Sequence, residues 1–167
     1  MKSKTRTFWA GTALSVAALC AISFPAIALP QSAGNRQNSI AQTIGTLKRS
    51  QSRWIQVDLS DQRLTGWEGS TQVFSYLVST GKAATPTPTG VFSVQSKRIS
   101  DRMRGEDYNV PNVPYAMYFS GGYAIHGAYW HNQFGTPVSH GCVNVRVDRA
   151  ERLFNWASVG TPVVVHR

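Results

Sequence analysis

The spacing of apolar residues changes character twice along this chain. Lys2, Lys4 and Arg6 precede an apolar run from Phe8 to Phe24, broken only by small or weakly polar residues. Residues 29–52 then lose any sustained apolar period and are rich in Gln, Ser, Asn and Gly, which reads as a flexible spacer. Ile40, Ile44 and Leu47 fall at helical spacing within it, so a short helix is the competing reading. From Arg53 the pattern becomes that of β structure. Residues 54–59, 64–67 and 73–78 are strand candidates, separated by Ser60-Asp61 and Glu68-Gly69-Ser70. The stretch Gly81 to Gly90 (GKAATPTPTG) holds two prolines and two glycines and cannot be regular.

A strand resumes over 91–94. Residues 96–114 are polar, basic and proline-containing, the pattern of a long surface loop or lid. Two more strands follow at 115–119 and 123–125, around Ser120-Gly121-Gly122. Near the end, Asp148 and Glu151 have capping-box spacing, and Ala150, Leu153, Phe154 and Ala157 share one helical face. Gly160 and Pro162 supply the stop, and 163–165 form a closing strand. The expected fold is mostly β, with one C-terminal amphipathic helix packed on it.

Composition sharpens this picture. With 167 residues, 42% of them hydrophobic and 15% charged, the chain is no disordered polyelectrolyte and fits one ordinary domain. The basic start, the apolar run and Pro25-Ala26-Ile27-Ala28 predict a signal peptide over 1–28, cleaved after Ala28. An uncleaved membrane anchor is the alternative. Leu19 before Cys20 argues against a lipid-modified cysteine. Cleavage lowers the basic residues from seventeen to fourteen against eight acidic ones, so the net charge falls from +9 to +6. It also removes Cys20 and leaves Cys142 alone in an oxidising compartment, where an unpaired thiol is either an intermolecular partner or reactive.

Candidate chemistry concentrates in residues 125–145, IHGAYWHNQFGTPVSHGCVNV, which hold three of the four histidines and Cys142. A thiol is a poor nucleophile until an imidazole or backbone dipoles favour the thiolate. His126 ends a strand candidate and Cys142 follows a turn at Gly141, close enough in sequence for the two side chains to meet. His140-Gly141-Cys142 offers successive backbone N–H groups for an oxyanion, on a turn that glycine permits. Taken singly, Cys142 reads as a small buried hydrophobe and His126 as a structural histidine. A zinc site is a further reading, at unusual ligand spacings.

Ser139-His140-Gly141-Cys142-Val143-Asn144, preceded by Ile125-His126-Gly127, resembles the signature of the L,D-transpeptidases, the YkuD-type catalytic domain. Gly81-Lys82 and Thr87-Pro88-Thr89-Gly90-Val91-Phe92 resemble that family's N-terminal strand–turn segment, and the likeness runs from about Trp54 to Val165. It implies a mixed β-sandwich-like catalytic domain over 53–167, acting in the periplasm or cell-wall compartment. By this resemblance Cys142 is the nucleophile and His126 the general base. Gly127 lends a backbone carbonyl that orients the imidazole, so that its own side-chain position matters little. Ser139, His140 and Gly141 belong to the oxyanion-hole motif, and Tyr108 matches a tyrosine that contributes there in some members.

Many members carry arginine two residues after the cysteine to meet a substrate carboxylate. Here Asn144 stands there, as in another subset, and Arg146 would share its face in a strand. A plain surface arginine is the alternative. Trp130 is a candidate substrate wall or packing residue, and His131 receives no role. The implied reaction needs no cofactor or metal. A Cys142 thioester forms at the third residue of a tetrapeptide stem, releases D-alanine and passes to another stem as a 3→3 cross-link. Carbapenems acylate the same thiol in the family. The expected partners are peptidoglycan stem peptides and the anionic wall rather than nucleic acid, and the enzyme is expected to be a monomer. Capture of the thioester by water, giving an L,D-carboxypeptidase or a hydrolase of wall links, is the alternative outcome. A non-catalytic basic binding module is the alternative from another class.

Overall fold

The computed structural model describes residues 33–167. The expected signal peptide, its cleavage point and the first residues of the spacer lie outside them. In chain order the elements are α1 (Ala33–Arg49), β1 (Arg53–Asp58), β2 (Arg63–Glu68), β3 (Thr71–Leu77), β4 (Gly90–Ser93), β5 (Ser96–Arg104), β6 (Asn109–Ser120), β7 (Tyr123–Gly127), β8 (Val143–Val145), α2 (Val147–Trp156) and β9 (Pro162–His166). Five strands form one sheet in the order β3-β2-β1-β9-β4, and four form a second in the order β5-β6-β7-β8. Two pairings are parallel, β1 with β9 and β7 with β8, which makes both sheets mixed.

Strand alternation decides what each face covers. In β1, Ile55 and Val57 join the main core, where Leu64, Val163 and Val165 of the first sheet meet Met117, Phe119, Ile125 and Val143 of the second. Leu153 and Ala150 of α2 close the same cluster. Trp54, one residue before Ile55, turns to the opposite face with Val164.

That outer face corrects the spacer reading of 29–52. Residues 33–49 form a helix whose Ile40 is buried with Trp54 and Val164, and whose Ile44 and Leu47 pack beside Trp67. The stacked rings of Trp54 and Trp67, 5.5 Å apart, would otherwise face water. Only one narrow stripe of this helix is apolar, so its composition resembles a linker while its period does not.

Residues 96–114 are likewise not a loop. They belong to an antiparallel hairpin paired from Ser96↔Tyr118 to Arg104↔Asn109, with a register shift between Asp101 and Met103. Pro111 and Pro114, with Asn112 and Tyr115 at φ 52° and 57°, disrupt the period-2 pattern and hide the strand.

The expected helix is present as α2, but its start differs. Arg146 is the N-cap, and Asp148 lies inside the first turn, bonded to Arg146 and Arg149, where its charge faces the positive helix end. Gly160 and Pro162 lie beyond the Ala157 cap, in the following turn and at the start of β9. No basic residue occupies the last turn of α2. Lys97 of β5 serves instead, donating to the carbonyls of Phe154 and Ala157 at 2.6 and 2.5 Å with its ammonium 4.2 Å from the Phe154 ring centroid. Burial lowers its pKa. Lys97→Met should cost about 1–2 kcal/mol, read as a lower thermal midpoint, while Arg98→Met on the exposed face should leave the midpoint unchanged.

Candidate active site

Parallel pairing of β7 with β8 sets the site. Its register places His126 opposite Asn144 and Ile125 opposite Val143, so Cys142 enters β8 beside the strand that carries the histidine. A cleft of about 240 Å³ is lined by Cys142, His126, Asn144, Tyr108, Trp130 and His131, among others. The structure thus brings the expected nucleophile and base into one cavity.

His126 is only 2% exposed. Its Nδ1 lies 3.1 Å from the Gly127 carbonyl, an acceptor, so Nδ1 carries the proton and Nε2 keeps its lone pair. Burial pushes the imidazole pKa down to about 4, more strongly than the Gly127 contact raises it. Cys142 is half-buried, and burial pushes its thiol up, partly offset by a hydrogen bond from the Ala124 backbone. The sulfur also sits 4.0 Å from the Gly122 carbonyl. Both shifts favour neutral partners, so the resting pair is thiol and imidazole rather than thiolate and imidazolium.

The nucleophile turn is held by its own serine. Ser139 Oγ donates to the Cys142 carbonyl at 2.5 Å and accepts the Gly141 N–H at 3.1 Å. The Gly141 N–H is thereby engaged, which narrows the expected oxyanion donors to the N–H groups of His140 and Cys142. Gly141 has φ +111°, and a Cβ there would lie 2.3 Å from the Tyr123 ring. The irregular 81–90 segment braces the turn from outside. Lys82 N–H and Thr85 Oγ1 both donate to the Ser139 carbonyl, and Ser139 N–H donates to Thr80.

Other expected residues divide. Tyr108, at the β5–β6 turn, lines the cleft with its ring 4.8 Å from that of His140. Burial, then the neighbouring Cys142 and Asp107, raise its phenol pKa. Trp130 lies 5.7 Å from the His126 ring, ring to ring. Arg146 departs from expectation. β8 ends at Val145, so Arg146 caps α2, pairs with Asp148 at 3.2 Å and borders a separate depression. It does not take over a charge role beside Asn144. Gly127 is not indifferent to substitution, because a Cβ would meet Pro114 Cγ at 2.9 Å.

Sequence reading missed two links. His140 Nε2 is 3.1 Å from Asp107 Oδ2 and 3.3 Å from Lys82 Nζ, tying the hairpin tip to the nucleophile turn. The imidazole holds the Asp107 carboxyl below its ordinary pKa. His131 bonds to Asn144 at 2.9 Å. His131 lies in the connection between β7 and β8, and its spacing from Asn144 carries no motif. A second opening reaches Cys142 past Arg102, Arg104 and Gly122.

A family model described as the L,D-transpeptidase catalytic domain, YkuD, matches residues 52–165. The chain is 32% identical over 99 residues to L,D-transpeptidase 1 of Mycobacterium tuberculosis, spanning 52% of this chain and 39% of that relative's length. Among solved structures, the catalytic domain of the Enterococcus faecium L,D-transpeptidase is 31% identical, with a TM-score of 0.63 over 70% of this chain and 98% of that one. An L,D-transpeptidase solved in complex with imipenem is 27% identical, with a TM-score of 0.65 over 69% and 59% of the two chains. The matched region takes in both sheets, the cleft and α2, and the chain belongs to the L,D-transpeptidase catalytic-domain family.

Proposed function

We propose that this protein is an exported peptidoglycan L,D-transpeptidase that forms 3→3 cross-links through a Cys142 thioester. In this reading Sγ attacks the carbonyl of the third stem residue as His126 Nε2 takes the thiol proton. The bond to the terminal D-alanine breaks, and its amine leaves with that proton. The side-chain amine of a second stem then attacks the thioester, restoring the thiol and forming the new amide. The N–H groups of His140 and Cys142 supply the oxyanion donors. After removal of the signal peptide, the +6 chain meets the anionic wall in the periplasm or cell-wall compartment. Carbapenems acylate the same sulfur.

One observation favours transfer over hydrolysis. Cys142 lies where two adjoining depressions meet, one along Trp130 and Asn144 and one past Arg102 and Arg104, with Met103 and Tyr108 lining both. Donor and acceptor stems can approach the sulfur from different sides, and the arginines of the second opening suit a stem carboxylate that Arg146 does not reach. Incubating the mature protein with disaccharide-tetrapeptide and reading products by mass spectrometry tests this. A dimer lighter than two substrates by one D-alanine is the expected product. Tripeptide accumulating without dimer would establish the carboxypeptidase outcome instead.

A further inference from the structure

His131 has no part in the chemistry above, yet it lines the same cleft and touches Asn144. Its Nδ1 accepts the backbone N–H of Gln133 at 3.1 Å, so Nδ1 is unprotonated. A neutral ring then carries its proton on Nε2, the atom 2.9 Å from the Asn144 amide. Partial burial favours that neutral ring.

The two ends of an asparagine amide exchange by a half-turn, and its partners decide between them. With the NH2 end toward Nε2–H, two donors would meet and Asn144 Oδ1 would be buried without a partner. With the half-turn, Oδ1 accepts the Nε2 proton, and the NH2 takes the unpartnered position on a side chain only 3% exposed, in register with His126. A buried NH2 without a protein acceptor is costly until a ligand oxygen meets it.

We propose that His131 is a positioning residue that holds the Asn144 carbonyl, so that the Asn144 NH2 is presented in the cleft as a donor to a carbonyl or carboxylate oxygen of the bound stem peptide. This rests on the stem-peptide reading of the cleft and adds to it a residue that sets substrate affinity without touching substrate.

Nitrogen-15 NMR of the histidine rings in the whole mature protein tests the first half without turnover, and His131 should show the Nε2–H tautomer. Kinetics with disaccharide-tetrapeptide test the second. His131→Leu should raise KM about tenfold, the worth of one hydrogen bond, with kcat and Cys142 alkylation by iodoacetamide little changed. His131→Gln, whose amide can donate from the Nε2 position, should restore KM. Asn144→Asp, which accepts from His131 but presents no NH2, should behave like His131→Leu. An Nδ1–H tautomer overturns the proposal, as does an equal loss in His131→Leu and His131→Gln, or no KM change in either. Failure of the wild type to turn over tetrapeptide would strike the function instead, leaving the tautomer result to stand by itself.

Discussion

His126→Ala should slow acylation of Cys142 by about 10²–10⁴-fold, measured as the rate of imipenem adduct formation by intact mass. The Gly127 carbonyl pins the Nδ1 proton, which leaves Nε2 as the one ring atom able to take the thiol proton. With the imidazole pKa near 4, the base stays competent far below the usual histidine range. The acid limb of kcat/KM should therefore fall near pH 4 rather than near 6.5. Because burial also raises the thiol, alkylation by iodoacetamide should keep climbing past pH 9.

The same burial has a stability consequence. The unfolded chain binds the His126 proton near pH 6.5 and the folded one only near 4, so stability is highest above 6.5 and declines as pH falls between these values. The loss is on the order of 3 kcal/mol from a shift of this size, and His131, lowered by burial too, acts in the same direction. His126→Ala should flatten that decline in denaturant titrations at pH 7 and pH 4.5. An acid limb at 6.5, with acylation indifferent to His126, would remove the base from the mechanism.

How much of this was legible in the sequence depends on where each piece of information resides. The strands over 54–59, 64–67 and 73–78 are short apolar runs closed by turn residues at Ser60-Asp61 and Glu68-Gly69-Ser70, so local sequence located β1, β2 and β3. Cys142, His126 and the Ser139–Cys142 turn were legible because they form short contiguous motifs. The β5–β6 hairpin was obscured by residues that bend it. Prolines and positive φ values mimic loop chemistry in a strand whose pairing comes from a partner strand rather than from its own pattern. α1 was obscured by dilution, since its few apolar residues matter only once Trp54, Trp67 and Val164 present a face to cover. The fate of Arg146 turned on a strand ending one residue early, a boundary that pattern does not resolve. His131 and Asn144 meet through the path of the connection between β7 and β8, which no local spacing encodes.

Gly141→Ala should reduce acylation by at least about 10²-fold, the cost of displacing a reacting atom by about 1 Å, and destabilise the fold by about 1–3 kcal/mol. Two effects act at this position. The new Cβ would meet the Tyr123 ring at 2.3 Å, and φ of +111° is a conformation that L side chains rarely adopt. Tyr123 is 36% exposed, so its ring can swing toward solvent and relieve the contact cheaply. The backbone angle has no such escape, because Ser139 Oγ grips the Gly141 N–H on one side and the Cys142 carbonyl on the other. Relaxing φ breaks that grip and moves Cys142, whose own N–H and sulfur must face the substrate carbonyl together. The backbone effect is therefore the larger. Adding Tyr123→Ala to Gly141→Ala should leave imipenem acylation as slow as in the single variant, whereas Ser139→Ala alone should loosen the turn and reproduce part of the loss. Full recovery in the double variant would show that the Tyr123 contact, and not the dihedral held by Ser139, is what makes glycine necessary beside the nucleophile.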